Sequence, residues 1–145
     1  MPNAALSISP RPELVQIARM MSVALARRGE LPDELLQEVR LAVGEAATRA
    51  VGVHRREGSE EPVRLSFIED DRGYEVQVRD VGAVEHVDEV RDLDQVATTG
   101  DGDGGAEDLE LSPELELALI RGMADELVVG ADPVGGTLIT FRWHR

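Results

Sequence analysis

Apolar residues return along this chain with two different periods. Leu14, Ile17, Ala18, Met21, Ala24 and Leu25 recur at helical spacing and predict a first helix. Pro12 and Glu13 suit its first turn. Arg27, Arg28 and Gly29 suit its end, with Gly29 as the left-handed cap. A second helix is expected from Pro32-Asp33 to about His54, burying Leu35, Leu36, Val39, Val43, Ala46 and Ala50. The period then changes to two. Val63-Arg64-Leu65-Ser66-Phe67-Ile68 and Tyr74-Glu75-Val76-Gln77-Val78-Arg79-Asp80 alternate around Asp70-Asp71-Arg72-Gly73, which predicts a β-hairpin. Ser112-Pro113 opens a third helical pattern carried by Leu115, Leu119, Ile120, Met123 and Leu127. Strands are expected over 125–130 and 137–143, joined by the turn Asp132-Pro133-Val134-Gly135-Gly136, with a short edge strand at 5–8. Trp143 and His144 are expected at an edge and in solvent. The order predicts an α+β two-layer sandwich: a mixed or antiparallel sheet covered on one face by about three helices.

Residues 84–112 fit neither period. Ten acidic residues and one arginine lie between Glu85 and Glu110, and Thr99-Gly100-Asp101-Gly102-Asp103-Gly104-Gly105 has no side chains to build a core. A flexible acidic lid loop is expected there. Asp101 and Asp103 begin like a calcium loop, but no bidentate Glu follows at the required place, so no metal site is expected.

Composition narrows the function. The 145 residues suit one domain, 1–145, and 42% apolar content supports a core, with only 3% aromatics. A net charge of −14 repels phosphate backbones, so nucleic acid is not an expected partner, whereas a basic protein is compatible. There is no cysteine, and all fifteen basic residues are arginine, which excludes thiolate metal sites, catalytic lysine and a P-loop. No apolar run approaches the ~20 residues of a membrane span, and no signal peptide is visible, so a cytoplasmic, membrane-free protein is expected.

The second helix holds the main chemical question. Glu45 stands mid-helix among small apolar residues, where an uncompensated carboxylate is costly. Either it reaches water or pairs with Arg49 at i+4, or it lines a polar pocket with the residue one turn on.

Three stretches, in this order around a long loop, carry a resemblance. Leu41-Ala42-Val43-Gly44-Glu45-Ala46-Ala47-Thr48-Arg49-Ala50 resembles the nucleotide-facing helix of the ATP-binding domain of the histidine kinase/gyrase/Hsp90 type, the Bergerat-type fold. Val76-Gln77-Val78-Arg79-Asp80-Val81-Gly82-Ala83 resembles its strand ending in Asp-x-Gly-x-Gly. The stretch from Leu117 to Glu126, closed by Gly135-Gly136-Thr137, resembles the helix after its lid and its final hairpin. The nearest likeness is to bacterial anti-sigma-factor regulators with a serine-kinase-like domain, over roughly residues 10–145. The resemblance implies Glu45 as catalytic base, Asp80 on the adenine amino group, Gly82 for close approach of the base, and Thr137 as a supporting bond to the Asp. It also implies a sigma-factor partner, release by a STAS-type anti-anti-sigma antagonist, and a homodimer. The first helix and a sheet edge become candidate contacts, with Arg19 and Arg27 exposed.

The departures from that pattern set the functional expectation. Arg49 replaces the Asn that would ligate Mg²⁺, and a guanidinium repels the ion, though it could touch a phosphate or pair with Glu45. Val84 replaces the second glycine of the turn. Ser112-Pro113-Glu114-Leu115-Glu116 puts two carboxylates where backbone amides would cradle phosphate. His54 lies one residue later than the family's usual His. ATP binding is therefore expected to be weak or absent, and Mg²⁺ is not expected. The expected function is an anti-sigma-type regulator with an impaired nucleotide site. The alternatives are an active ATP-dependent serine kinase, and a scaffold or sensor of the same fold.

Overall fold

A computed structural model describes residues 3–82 and 122–144. The acidic stretch 84–112 and most of the helix expected after Ser112 lie outside the described residues. The described elements are β1 (Ala4–Ile8), a single 3₁₀ turn (Pro12–Leu14), α1 (Val15–Arg28), α2 (Asp33–Arg56), β2 (Val63–Asp70), β3 (Gly73–Asp80), β4 (Glu126–Ala131) and β5 (Thr137–His144). The strands form one sheet in the order β1-β2-β3-β5-β4, with every neighbouring pair antiparallel. The architecture is α+β, with α1 and α2 on the sheet.

The hairpin forms where the alternation predicts it. Val63, Leu65 and Phe67 on β2 and Tyr74, Val76 and Val78 on β3 are buried. The residues between them turn outward, as a half-covered sheet requires. On β5, Ile139, Phe141 and Trp143 continue the buried row. Trp143 is a core residue and not the edge residue expected, because β5 lies between β3 and β4. Its ring stacks near Phe141 and Tyr74, with centroids 5.9 and 6.1 Å away, and its indole N–H donates to the Met123 carbonyl (2.8 Å).

The buried side of α2 is largely as expected: Leu36, Val39, Val43, Ala46 and Ala50 are in the core, and Leu35 is only partly buried against it. The face of α1 departs from expectation in part: Ala18 is buried and Leu14, Met21 and Leu25 pack against the core as expected, but Ile17 and Ala24 do not. Val15, Ala18, Ser22 and Ala26 are buried, whereas Ile17 is 45% and Met20 62% exposed, and Ala24 faces solvent. The small side chains let α1 lie close against α2, which excludes the larger ones. The Ser22 hydroxyl turns back to the Arg19 carbonyl (2.9 Å), and its own carbonyl accepts the Tyr74 hydroxyl (2.9 Å).

The end of α1 also differs. Gly29 keeps an ordinary φ of −77°, and Glu30 takes the left-handed conformation at φ 60°. Leu31 N–H then closes back to the Ala26 carbonyl (3.1 Å), the outer bond of a helix-terminating loop. At Gly29 a Cβ would lie 2.9 Å from the Glu69 carboxyl carbon, the end of a side chain that can move aside.

Candidate functional site

Of the residues singled out, Arg49 of α2, Asp80 and Gly82 at and after the end of β3 and Thr137 at the start of β5 come together, and among the described residues no hydrogen bond or ion pair joins Glu45 to them. The antiparallel register sets Asp80 opposite Thr137. The side of α2 that faces the sheet carries Arg49, Ala50, Val53 and His54, all buried. Asp80, Gly82 and Thr137 are buried beneath them.

Arg49 is the organising group. Its Nη1 donates to Asp80 Oδ2 at 2.7 Å, and the two side chains are 3% and 0% exposed. The other oxygen, Asp80 Oδ1, accepts the Gly82 N–H at 2.7 Å. Both carboxylate oxygens are thus engaged inside the fold, with no surface open to solvent. Arg49 Nε is buried with no hydrogen-bond partner. Of the two partners proposed from sequence for this guanidinium, a phosphate and Glu45, neither is the one it takes in the fold. Glu45 is only partly buried, and no ion pair involves it among the described residues. Thr48, one turn along, faces outward and bonds its hydroxyl to the Gly44 carbonyl (2.7 Å).

The turn after β3 is held from three sides. Thr137 Oγ1 donates to the Gly82 carbonyl (2.8 Å), so its hydroxyl supports the turn and not the Asp80 side chain. Gly82 itself admits no side chain: a Cβ would lie 2.6 Å from Val53 Cγ1. Gly136, at φ 90°, brings its backbone against the Asp80 carbonyl so closely that a Cβ there would collide with that oxygen. His54 closes the arrangement. Its Nδ1–H donates to the Glu61 carbonyl (2.9 Å), and its Nε2 accepts the Val81 N–H (3.2 Å). Only the neutral Nδ1–H tautomer serves both partners. Sequence reasoning noted His54 only as displaced by one position. Its burial between two backbone segments had no local signal.

The chemistry available here is limited. A buried guanidinium cannot ligate a cation, and among the described residues no group of three or more His, Asp or Glu could hold a metal ion. A ligand amino group that needs Asp80 would have to displace Arg49 first.

A second feature lies between the helices. A groove of about 340 Å³ is lined by Gln16, Arg19, Met20, Val23 and Arg27 of α1 and by Arg40 of α2. Arg19 crosses α2 at Gly44, where any Cβ would clash with its guanidine nitrogen. Among the described residues none of Arg19, Arg27 and Arg40 is in an ion pair.

The sequence model of the histidine kinase-like ATPase domain matches residues 8–143 of the chain. No curated protein matches it.

Proposed function

The chain belongs to the histidine kinase-like ATPase domain family, and from that premise we propose that it is an anti-sigma-factor-type regulator that binds and sequesters an alternative sigma factor. In this reading it acts in the cytoplasm as a homodimer and is released by a STAS-type antagonist. The observation that carries the reading is the buried ion pair between Arg49 and Asp80. A kinase of this family needs its acceptor carboxylate free for the base and a cation near the phosphates. Here the carboxylate is spent on the chain's own guanidinium, while the fold around it is kept. A fold kept without its transfer chemistry is one used for binding.

The outer face of α1 supports the binding role. It presents Met20, 62% exposed, beside Arg19 and Arg27, and also exposes Ile17 at 45%. An exposed methionine lining a groove with three arginines that, among the described residues, are in no ion pair suits a partner segment that is both apolar and acidic. The test is reconstitution with each alternative sigma factor of the source organism. The expected result is a stoichiometric complex with one of them that blocks its binding to core RNA polymerase and is dissolved by a STAS-domain protein. No complex with any of them would overturn the reading. Transfer of phosphate from ATP to a STAS protein would favour the serine-kinase alternative.

A further inference from the structure

We infer that Arg49 is a built-in substitute for the nucleotide base, holding the site in a ligand-independent state. The inference deepens the impaired-site part of the reading above and rests on it. The family's ligand requires a carboxylate that accepts an N–H from a flat, amidine-like group. Arg49 delivers such a group from within the chain: a planar guanidinium whose Nη1–H meets Asp80 Oδ2 at 2.7 Å. The remaining oxygen is oriented by the Gly82 N–H, and Gly82 is in turn fixed by the Thr137 hydroxyl. The acceptor geometry that would read a base is thus intact and already filled.

Three physical effects favour the internal group over one from solution. The guanidinium is charged, so its bond to a carboxylate is charge-assisted, whereas an adenine amino group is neutral. It is tethered one side chain away, at an effective concentration that no free nucleotide matches. Displacement would also leave a guanidinium with 3% exposure without its counter-ion. The unpartnered Arg49 Nε fits the same account, since the side chain is pulled into the site by its Nη end alone. Mg-ATP does not fit the residues present, and its concentration would not regulate partner binding.

The test compares the wild-type chain with Arg49→Ala, using adenosine, ATP with and without Mg²⁺, and methylguanidinium as probes. Melting temperature and equilibrium dialysis are the readouts. The wild type is expected to show no shift and to retain no adenosine at millimolar concentration. Arg49→Ala is expected to melt lower, to be raised by several degrees by adenosine or methylguanidinium, and to retain adenosine. Adenosine or ATP binding by the wild type would overturn the inference. So would an Arg49→Ala protein that folds and ignores both small probes. If Arg49→Ala fails to fold, side-chain NMR of the wild type decides. Separate Arg49 Nη proton signals that ATP leaves unchanged support the inference, and an averaged or ATP-sensitive signal overturns it. None of these readouts involves a sigma factor, so failure to find one leaves this result standing.

Discussion

Arg49 and Asp80, 31 positions apart, form an ion pair at 2.7 Å with side chains that are almost fully buried. Burying two charges is costly, and their mutual attraction offsets that cost only while both are present. Removing one leaves the other uncompensated. Asp80→Ala or Arg49→Ala alone is therefore expected to cost about 3–5 kcal/mol of stability. The double variant is expected to lose less than the sum, because neither charge is stranded. Urea unfolding of the four proteins measures the coupling, and strict additivity would show that the pair contributes nothing as a pair.

The parts of this fold that were readable locally are those whose signal lies within one element. The alternation from Val63 to Asp80 gave the β2–β3 hairpin to within two residues, and Val39, Val43, Ala46 and Ala50 identified the buried side of α2. The face of α1 is only partly legible, because large apolar residues dominate a hydrophobic pattern, whereas close helix contact selects small ones. Ser22 and Ala26, absent from the apolar pattern, are buried beside Ala18, while Ile17, which the pattern includes, is exposed. At the candidate site, Arg49, Asp80, Gly82 and Thr137 each stand out in the sequence. Their partners do not, since the sequence offers Arg49 a phosphate or a neighbour on its own helix, Glu45, while the fold supplies a carboxylate from β3. Which distant group a flexible arginine meets is a tertiary fact with no periodicity to announce it.

Gly82 and Val53 test how tightly the turn after β3 is packed on α2. A Cβ at position 82 would sit 2.6 Å from Val53 Cγ1 and 3.0 Å from Asp80 Oδ1. Gly82→Ala is expected to destabilise by about 1–3 kcal/mol through overpacking. Combining it with Val53→Ala removes the nearest obstacle, so the double variant should regain part of the loss relative to Val53→Ala alone. Thermal melts of the three variants measure this, and a Gly82→Ala substitution that costs the same in both backgrounds would locate the strain elsewhere.

Tyr74 gives the protein an alkaline limit. Its hydroxyl is buried and donates to the Ser22 carbonyl (2.9 Å), and desolvation, with the nearby charge of Glu69, pushes its pKa far above the ordinary 10.0. The folded state therefore holds the neutral phenol. Its stabilising contribution is fully present below the unfolded value and is lost as pH rises past 10. Since this is the chain's one tyrosine, tyrosinate absorbance reports it alone. Absorbance is expected to appear together with unfolding measured by circular dichroism, and a rise while the fold is intact would contradict the burial. Tyr74→Phe should cost about 0.5–1.5 kcal/mol at neutral pH and remove the steepest part of the alkaline loss.

Asp70 sets a limit at the acid end. Arg142 Nη2 donates to both of its oxygens (2.7 and 2.8 Å), and Asp70 Oδ1 also accepts the Arg72 and Gly73 N–H groups of the hairpin turn. The Arg142 hydrogen bond, followed by the Arg72 N–H, holds the carboxyl at about 2, below its ordinary 3.8. A lowered value means the folded state favours the carboxylate. The stabilisation is present above 3.8 and is lost as pH falls through about 2. The stability difference between wild type and Asp70→Asn should be constant from neutral pH down to the ordinary carboxylate range. It should then shrink over the next two pH units, and added salt should reduce it, because the pair lies at the surface. A difference that persists unchanged at the lowest pH would assign the effect of Asp70 to the shape of the turn and not to its charge.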